Sequence, residues 1–304
     1  MALRSLDNAL PVLPSERPKK QPKVAAAAAM KQQPDLVRVN DENKPPVPAP
    51  APSNADATID YIPSENLKSI DDPDVRIHGL IGGLESKDWL KVCESLNDAR
   101  RFALYHSSLL LPILDKVMLI IVKAMKNPRS ALCKTSIMAS SDIFKAFGDK
   151  LLESPVSDAY DPLLLQLLLK ASQDKKFVCE EADKALKAMV ESFTPLPLLH
   201  KLKSYASHSN PRVRAKAAVS VSHCISKMGL EEMKEFGLIS TIQTAAELLN
   251  DRLPEAREAA RSIVVSLYKA LTENEEEKQE VWQSFCQSNL SAIHAQAMLK
   301  LVSS

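Results

Sequence analysis

Small and apolar residues recur at helical spacing directly after a polar turn in the segment that begins at Asn210. Val213, Ala217 and Val221 are four residues apart, so they lie on one face of a helix. Asn210 is a preferred helix N-cap, and Pro211 is tolerated at the first helical position. Because Ala217 is small, a neighbouring helix can approach closely. The pattern therefore predicts a helix that packs between other helices.

The same arrangement returns at intervals of about forty residues, with copies that begin at Asp88, Asn127, Asp174 and Asp251. Recurrence at this period is typical of two-helix HEAT or armadillo units. The chain has only six glycines and 5% aromatic residues, which favours helices over a sheet-based fold. We therefore predict an all-α, right-handed solenoid of about six helix pairs over residues 71–304.

Residues 1–70 have a different composition, because they hold eleven of the twenty prolines and an alanine run at 25–29. Such a segment buries too little apolar surface to offset the entropy of ordering it. We predict a disordered Pro/Ala-rich tail over residues 1–70. Its basic cluster at residues 17–23 is interpreted as part of a solvated linker.

The stretch from Leu109 to Met125 is apolar enough to suggest a membrane-spanning helix. A span needs about 20 mostly uncharged residues, whereas Pro112, Asp115 and Lys116 interrupt this one. We interpret it as a buried solenoid helix and expect no membrane association.

Charge and cysteine content restrict the classes of function. The net charge is +1, so general nucleic-acid binding is not indicated. The five cysteines lie roughly one repeat apart and form no C-x-x-C pair, which predicts small core residues in a reducing, cytoplasmic compartment. No catalytic motif is present and the six histidines are scattered. We expect no enzymatic activity, no cofactor and no metal site.

The informative residues lie in the turns between the two helices of each pair, which we call the turn edge. Cations recur there at or just after the helix start, where the helix dipole disfavours positive charge. Folding stability does not explain them, so they predict a surface for an acidic partner. The cations are Arg129, Lys175, Lys176, Arg212 and Arg252.

Four further residues are assigned either to architecture or to binding. Arg214 and Arg257 occupy positions where HEAT repeats pair an arginine with an acid of the next unit, so we assign them to architecture. Trp89 directly follows the probable cap Asp88; spacing alone leaves partner contact and core packing equally open. Trp282, inside the last helix pair, is predicted to be a core residue.

Together these turns resemble a TOG domain. The resemblance rests on Asp88-Trp89, Asn127-Pro128-Arg129-Ser130, the Lys175-Lys176 pair and Asn210-Pro211-Arg212-Val213-Arg214, and it is nearest to CLASP and crescerin proteins over residues 71–304. TOG domains are six-unit HEAT arrays whose turns bind tubulin through a first-turn tryptophan and later basic residues. By position, the resemblance implies tubulin contacts from Trp89, Arg129, Lys175, Lys176, Arg212 and Arg252. This chain departs from the family in lacking the usual basic residue shortly after the tryptophan.

Two hypotheses follow. The first is a non-enzymatic tubulin- or microtubule-binding protein of the cytoskeleton, monomeric, with other cytoskeletal proteins as a further class of partner. The second is a generic HEAT or armadillo adaptor that holds a peptide in its concave groove. A basic turn edge with an accessible Trp89 favours the first hypothesis, and a polar groove with a buried Trp89 favours the second.

Overall fold

The computed structural model describes residues 61–173 and 175–303, and no residue in these ranges is in a β-strand. Residues 1–60 of the predicted tail therefore lie outside the described residues. The helices are α1 Pro73–Leu84, α2 Trp89–Tyr105, α3 Ser107–Leu110, α4 Leu114–Met125, α5 Ser130–Phe147, α6 Ser157–Ala171, α7 Lys176–Ser192, α8 Pro195–Leu202, α9 Pro211–Ser226, α10 Leu230–Phe236, α11 Leu238–Leu248, α12 Pro254–Thr272, α13 Lys278–Asn289 and α14 Ala292–Val302.

These helices form six consecutive pairs, and the second helix of each pair is α2, α5, α7, α9, α12 or α14. The second helices pack side by side in chain order, and α4 packs against α6 in the layer of first helices. This arrangement confirms the predicted helical-repeat array. The continuous core runs through both layers, because each helix buries one apolar face against its neighbours.

The predicted small residues lie where neighbouring helices meet. Ala182 of α7 and Ala217 of α9 are fully buried, and α9 packs against both α7 and α12. Trp282 is also fully buried, with its ring 5.7 Å from that of Tyr268. The sequence prediction of these core positions is therefore confirmed.

Four of the five cysteines are core residues, as predicted, and Cys179 is half-buried. Burial raises the pKa of Cys93 to about 11 and those of Cys224 and Cys286 to about 12. These thiols therefore stay protonated at neutral pH and behave as small apolar side chains.

The apolar stretch 109–125 differs from its prediction as one buried helix. Pro112 lies in a 3-10 turn, Leu111–Ile113, that separates α3 from α4, because proline lacks the N–H that a continuous α-helix needs. Leu111 and Leu119 are 40% and 50% exposed. Within the described part of the chain, no helix is long and apolar enough to cross a membrane.

Residues 61–70, called the strap below, pack on the solenoid and contain a 3-10 turn, Ser64–Asn66. Leu67 and Ile70 are buried. The phenol of Tyr105 in α2 donates a hydrogen bond to the carbonyl oxygen of Leu67 at 2.6 Å. The predicted boundary at residue 71 is therefore corrected: the folded unit extends at least to residue 61, because the strap supplies apolar and hydrogen-bonding contacts to α2.

Candidate functional site

Four turns between paired helices share one local hydrogen bond. In each, an Asp or Asn side chain accepts from the backbone N–H two residues later, at 2.9 to 3.0 Å. The acceptors are Asp88, Asn127, Asn210 and Asp251. This side-chain turn satisfies an N–H group near the helix start and fixes how the chain enters the helix. The residues that follow are thus presented in similar ways along the turn edge.

The helix starts themselves vary around this turn. Asn210 is the N-cap of α9 and Pro211 its first residue, as predicted. Asn127 and Asp251 instead lie before the N-cap, because α5 begins at Ser130 and α12 begins at Pro254. In these two repeats the expected cap residue orders the turn while another residue begins the helix.

Trp89 and Arg129 are brought together although they belong to different turns. The Arg129 guanidinium carbon lies 4.9 Å from the centroid of the Trp89 ring, a cation–π geometry. Trp89 is half-buried and packs against the core, whereas Arg129 is exposed. Core packing and surface exposure are therefore not exclusive for Trp89. Its ring packs against core residues, and part of it remains at the surface beside a cation.

The third turn presents two lysines at the start of α7. Lys175 is its N-cap and Lys176 its first residue, and both are exposed. The side chain of Lys176 is 89% exposed and forms an i,i+4 ion pair with Glu180 at 3.7 Å. Such a surface pair contributes little stability, so Lys176 remains available to an acidic partner.

Arg212 connects the fourth turn to the third. Its Nη1 donates to the carbonyl oxygen of Ser172 at 3.2 Å, and the side chain is exposed. This contact links the guanidinium to the third turn. Arg212 thus combines a structural contact with a place on the turn edge.

Arg252 is exposed in the fifth turn, where its carbonyl oxygen accepts from Arg257 Nη1 at 3.1 Å. Among the residues that the structure describes, no hydrogen bond or ion pair joins its side chain to the other candidate residues. The fifth turn therefore contributes a separate cation to the edge.

The two arginines assigned to architecture differ in their partners. Arg214 Nε donates to Asp251 Oδ2 of the next repeat at 2.6 Å, as predicted. Arg257 donates instead to the backbone carbonyl of Asp251 at 2.8 Å. The prediction of an acidic side-chain partner is wrong for Arg257, because its guanidinium satisfies the carbonyl groups of its own turn.

The layer of second helices carries charges that are paired across neighbouring helices. Lys216 of α9 contacts Asp183 of α7 at 3.0 Å and Glu255 of α12 at 2.7 Å. Burial by itself lowers the pKa of Lys216, but the hydrogen bonds to Glu255 and Asp183 outweigh it and raise the pKa. These contacts bind the helices of the array to one another.

The site that holds the strap was not predicted from the sequence. Arg100 and Asp142 are fully buried, with Arg100 Nε 2.7 Å from Asp142 Oδ2. Arg100 Nη1 also donates to the carbonyl oxygen of Ile62 at 2.8 Å, and Ser64 Oγ donates to Asp142 Oδ1 at 2.6 Å. The sequence does contain a signal of this buried pair. Arg100 lies four residues after the buried Leu96, so a charged side chain falls on the apolar face of its helix.

No group of three or more His, Cys, Asp or Glu side chains in the described ranges is placed to hold a metal ion. The turn edge carries recurring exposed cations, and the half-buried ring of Trp89 lies beside one of them. Such a surface is suited to binding an acidic protein.

Residues 104–294 match the family described as CLASP N terminal, which is more than half of the chain. A Mus musculus protein, TOG array regulator of axonemal microtubules protein 1, is 28% identical over 205 residues, which are 66% of this chain and 11% of that protein. The Homo sapiens protein of the same name is 31% identical over 129 residues, 42% of this chain and 7% of that protein. The chain thus spans about a tenth of the length of these relatives.

A solved structure described as a TOG domain from C. elegans Zyg9 has the same fold. It covers 80% of this chain and 92% of its own, with a TM-score of 0.57 and 16% identity. The matched family, the relatives and this fold agree with the resemblance drawn from the turns. The chain belongs to the CLASP N-terminal family, and its helical array is a TOG domain of the CLASP and crescerin type.

Proposed function

We propose that this chain is a non-enzymatic tubulin- or microtubule-binding module that contacts tubulin through its turn edge. The observation that carries the proposal is the recurrence of exposed cations on similarly built turns, beside an accessible Trp89. The names of the relatives refer to axonemal microtubules, which supports the same partner. The protein would act on microtubules in the cytoplasm.

The roles of the candidate residues follow from their surroundings. Lys175, Lys176 and Arg252 are exposed cations that attract an acidic surface and speed its approach, an effect that salt screens. Arg129 holds one side of the Trp89 ring, which preorganises an aromatic anchor for the partner.

The peptide-groove adaptor is the second candidate, and the layer of second helices provides little support for it. Lys216 is engaged by acids of two neighbouring helices, and Lys134 of α5 pairs with Glu181 of α7 at 3.8 Å. At the N-terminal end, the Tyr61 ring of the strap lies 4.3 Å from Lys134 Nζ. These lysines are engaged with other elements of the molecule, whereas Lys175, Lys176 and Arg252 are exposed on the turn edge.

A matched pair of triple variants tests the proposal by co-sedimentation with microtubules and size-exclusion binding to tubulin. The turn-edge variant is Lys175→Ala/Lys176→Ala/Arg212→Ala. The control variant, Lys145→Ala/Lys184→Ala/Lys187→Ala, removes the same charge from α5 and α7, at exposed positions away from the turns. Trp89→Ala is a poor test of binding alone, because this ring also packs against the core.

We expect the folded turn-edge variant to bind at least about tenfold more weakly at low salt and the control to stay within about threefold of wild type. Equal binding by all three proteins would refute the turn edge as the site. A loss confined to the control variant would support the groove adaptor. If wild type fails to bind in either assay at low salt, the proposed function is wrong.

A further inference from the structure

A groove opens beside the turn edge, between the first two turns and α4. It encloses about 450 Å³, within the roughly 300–1,000 Å³ that is usual for pockets that take a ligand or a side chain. Trp89 forms part of its wall, so the groove is continuous with the proposed tubulin-binding surface. By contrast, a groove lined by Ser226, Tyr268 and Lys278 lies at the opposite ends of the helices.

The walls of this groove are apolar. They are formed by Leu84, Trp89, Val92, Leu119, Ile120 and Leu132. Leu119 projects from α4 with 50% of its surface exposed, while Leu84 and Leu132 are buried. An apolar side chain that entered here would cover Leu119 and the accessible part of Trp89, and the hydrophobic effect favours that burial.

The rim of the groove is basic. Lys87 and Lys123 line it and are exposed, and neither has an ion-pair partner among residues 61–173 and 175–303. Glu85 is the acidic residue among those that line the groove, and Lys116 contacts it at 3.7 Å. The rim therefore has a positive excess that favours an acidic segment of the partner.

We propose that this groove receives a large apolar side chain from tubulin, carried on a surface segment with carboxylates beside it. The inference rests on the proposed function and adds a pocket to its site. The carboxylates contact Lys87 and Lys123, and the apolar side chain packs between Trp89 and Leu119. Charge on the turn edge then attracts the partner, and the groove supplies the desolvated anchor.

Two variants of the full chain test the groove by equilibrium binding to the tubulin dimer. Leu119→Arg removes the apolar wall and adds positive charge, so it separates apolar docking from simple charge attraction. The matched control is Ile239→Arg, because Ile239 is 52% exposed at the start of α11, at the end of that helix remote from the fifth turn. The double variant Lys87→Glu/Lys123→Glu reverses the rim charge at two exposed positions. It tests the groove even if Leu119→Arg fails to fold.

We expect Leu119→Arg and the lysine double variant each to raise the Kd at least about tenfold, and Ile239→Arg to leave it within about twofold. Melting temperatures near that of wild type establish folding. If wild type binds and the turn-edge triple variant is weakened while the lysine double variant binds normally, the groove inference is wrong and the proposed function stands. Tighter binding by Leu119→Arg would show that charge alone holds the partner. If wild type does not bind, the proposed function itself fails.

Discussion

Single side chains decide how each turn is built. The Asp251 carboxylate uses Oδ1 to accept from the N–H of Leu253 at 2.9 Å and Oδ2 to accept from Arg214 at 2.6 Å. One residue thus orders its own turn and connects it to the previous repeat. Asn210 and Asn127 have no charge and order only their own turns. At position 251, the carboxylate thus adds a link between repeats to the ordering of the turn.

Stability should depend on pH through Asp251. Burial favours its neutral form, but the N–H of Leu253 and the guanidinium of Arg214 outweigh this and lower its pKa below the ordinary value of 3.8. The ion pair therefore stabilises the fold above the unfolded-state pKa, near 4, and this contribution is lost as the pH falls through the lower folded-state pKa. Asp251→Asn keeps the acceptor for Leu253 and removes the charge.

We expect Asp251→Asn to cost about 1–3 kcal/mol at pH 7, a difference that shrinks below about pH 4. Urea unfolding at pH 7, 5 and 3.5 measures it. Glu231→Gln is the control, because its ion pair with Lys234 is largely exposed and should contribute little at any of these pH values. A cost for Asp251→Asn that stayed constant down to pH 3.5 would contradict the assignment to the ion pair.

At the scale of elements, local signals predicted the repeats well. Asn210-Pro211 begins a helix where the sequence places it, because capping depends on a few neighbouring residues. The strap was not predictable in this way, since its contacts join residues far apart in sequence. Ser64 bonds to Asp142, 78 positions away, and no local pattern encodes that pairing. The groove beside Trp89 likewise depends on where α4 lies relative to the first turn, so its lining residues other than Trp89 were not predicted as site residues.

The helix interface at Ala217 should reject larger side chains. Ala217 is fully buried in α9, between α7 and α12. We expect Ala217→Leu to destabilise the fold by about 1–3 kcal/mol, because an overpacked interface forces side chains or helices to move. Ala292→Leu, at an exposed position that begins α14, should change the free energy of unfolding by less than about 0.5 kcal/mol. Similar costs for both changes in urea unfolding would mean that α9 does not pack as described.

Removal of the strap should weaken the first repeats. A chain that begins at residue 71 loses the buried Leu67 and Ile70 and leaves Arg100 without the carbonyl of Ile62. Relative to a chain that begins at residue 61, we expect a loss of roughly 2 kcal/mol or more in urea unfolding. Within the longer chain, Leu67→Ala should be destabilising and Lys68→Ala, at an exposed position, nearly neutral. Equal stability of the two chains would show that the strap does not contribute.

At the scale of the whole molecule, the two surfaces of the array have different uses. Inter-helix ion pairs such as Lys216 with Asp183 and Glu255 bind the second helices together. The turn edge instead displays cations and Trp89 from consecutive repeats along one side. The packing of the helices sets the spacing of the turns. Under the proposed function, the partner would be recognised by the positions of several weak contacts along this edge.

Photo-crosslinking to tubulin from two positions on α7 tests most directly whether the turn edge is the tubulin-binding surface. Lys176 lies at the turn edge, with its side chain 89% exposed, and Lys187 lies near the other end of the helix, with its side chain 71% exposed. Each forms an i,i+4 ion pair with a glutamate at 3.7 Å, so the two sites are matched in surroundings. A photoreactive residue at position 176 should form a tubulin adduct that high salt suppresses, and one at position 187 should form none. Adducts from position 187 alone would contradict the turn edge as the tubulin-binding surface.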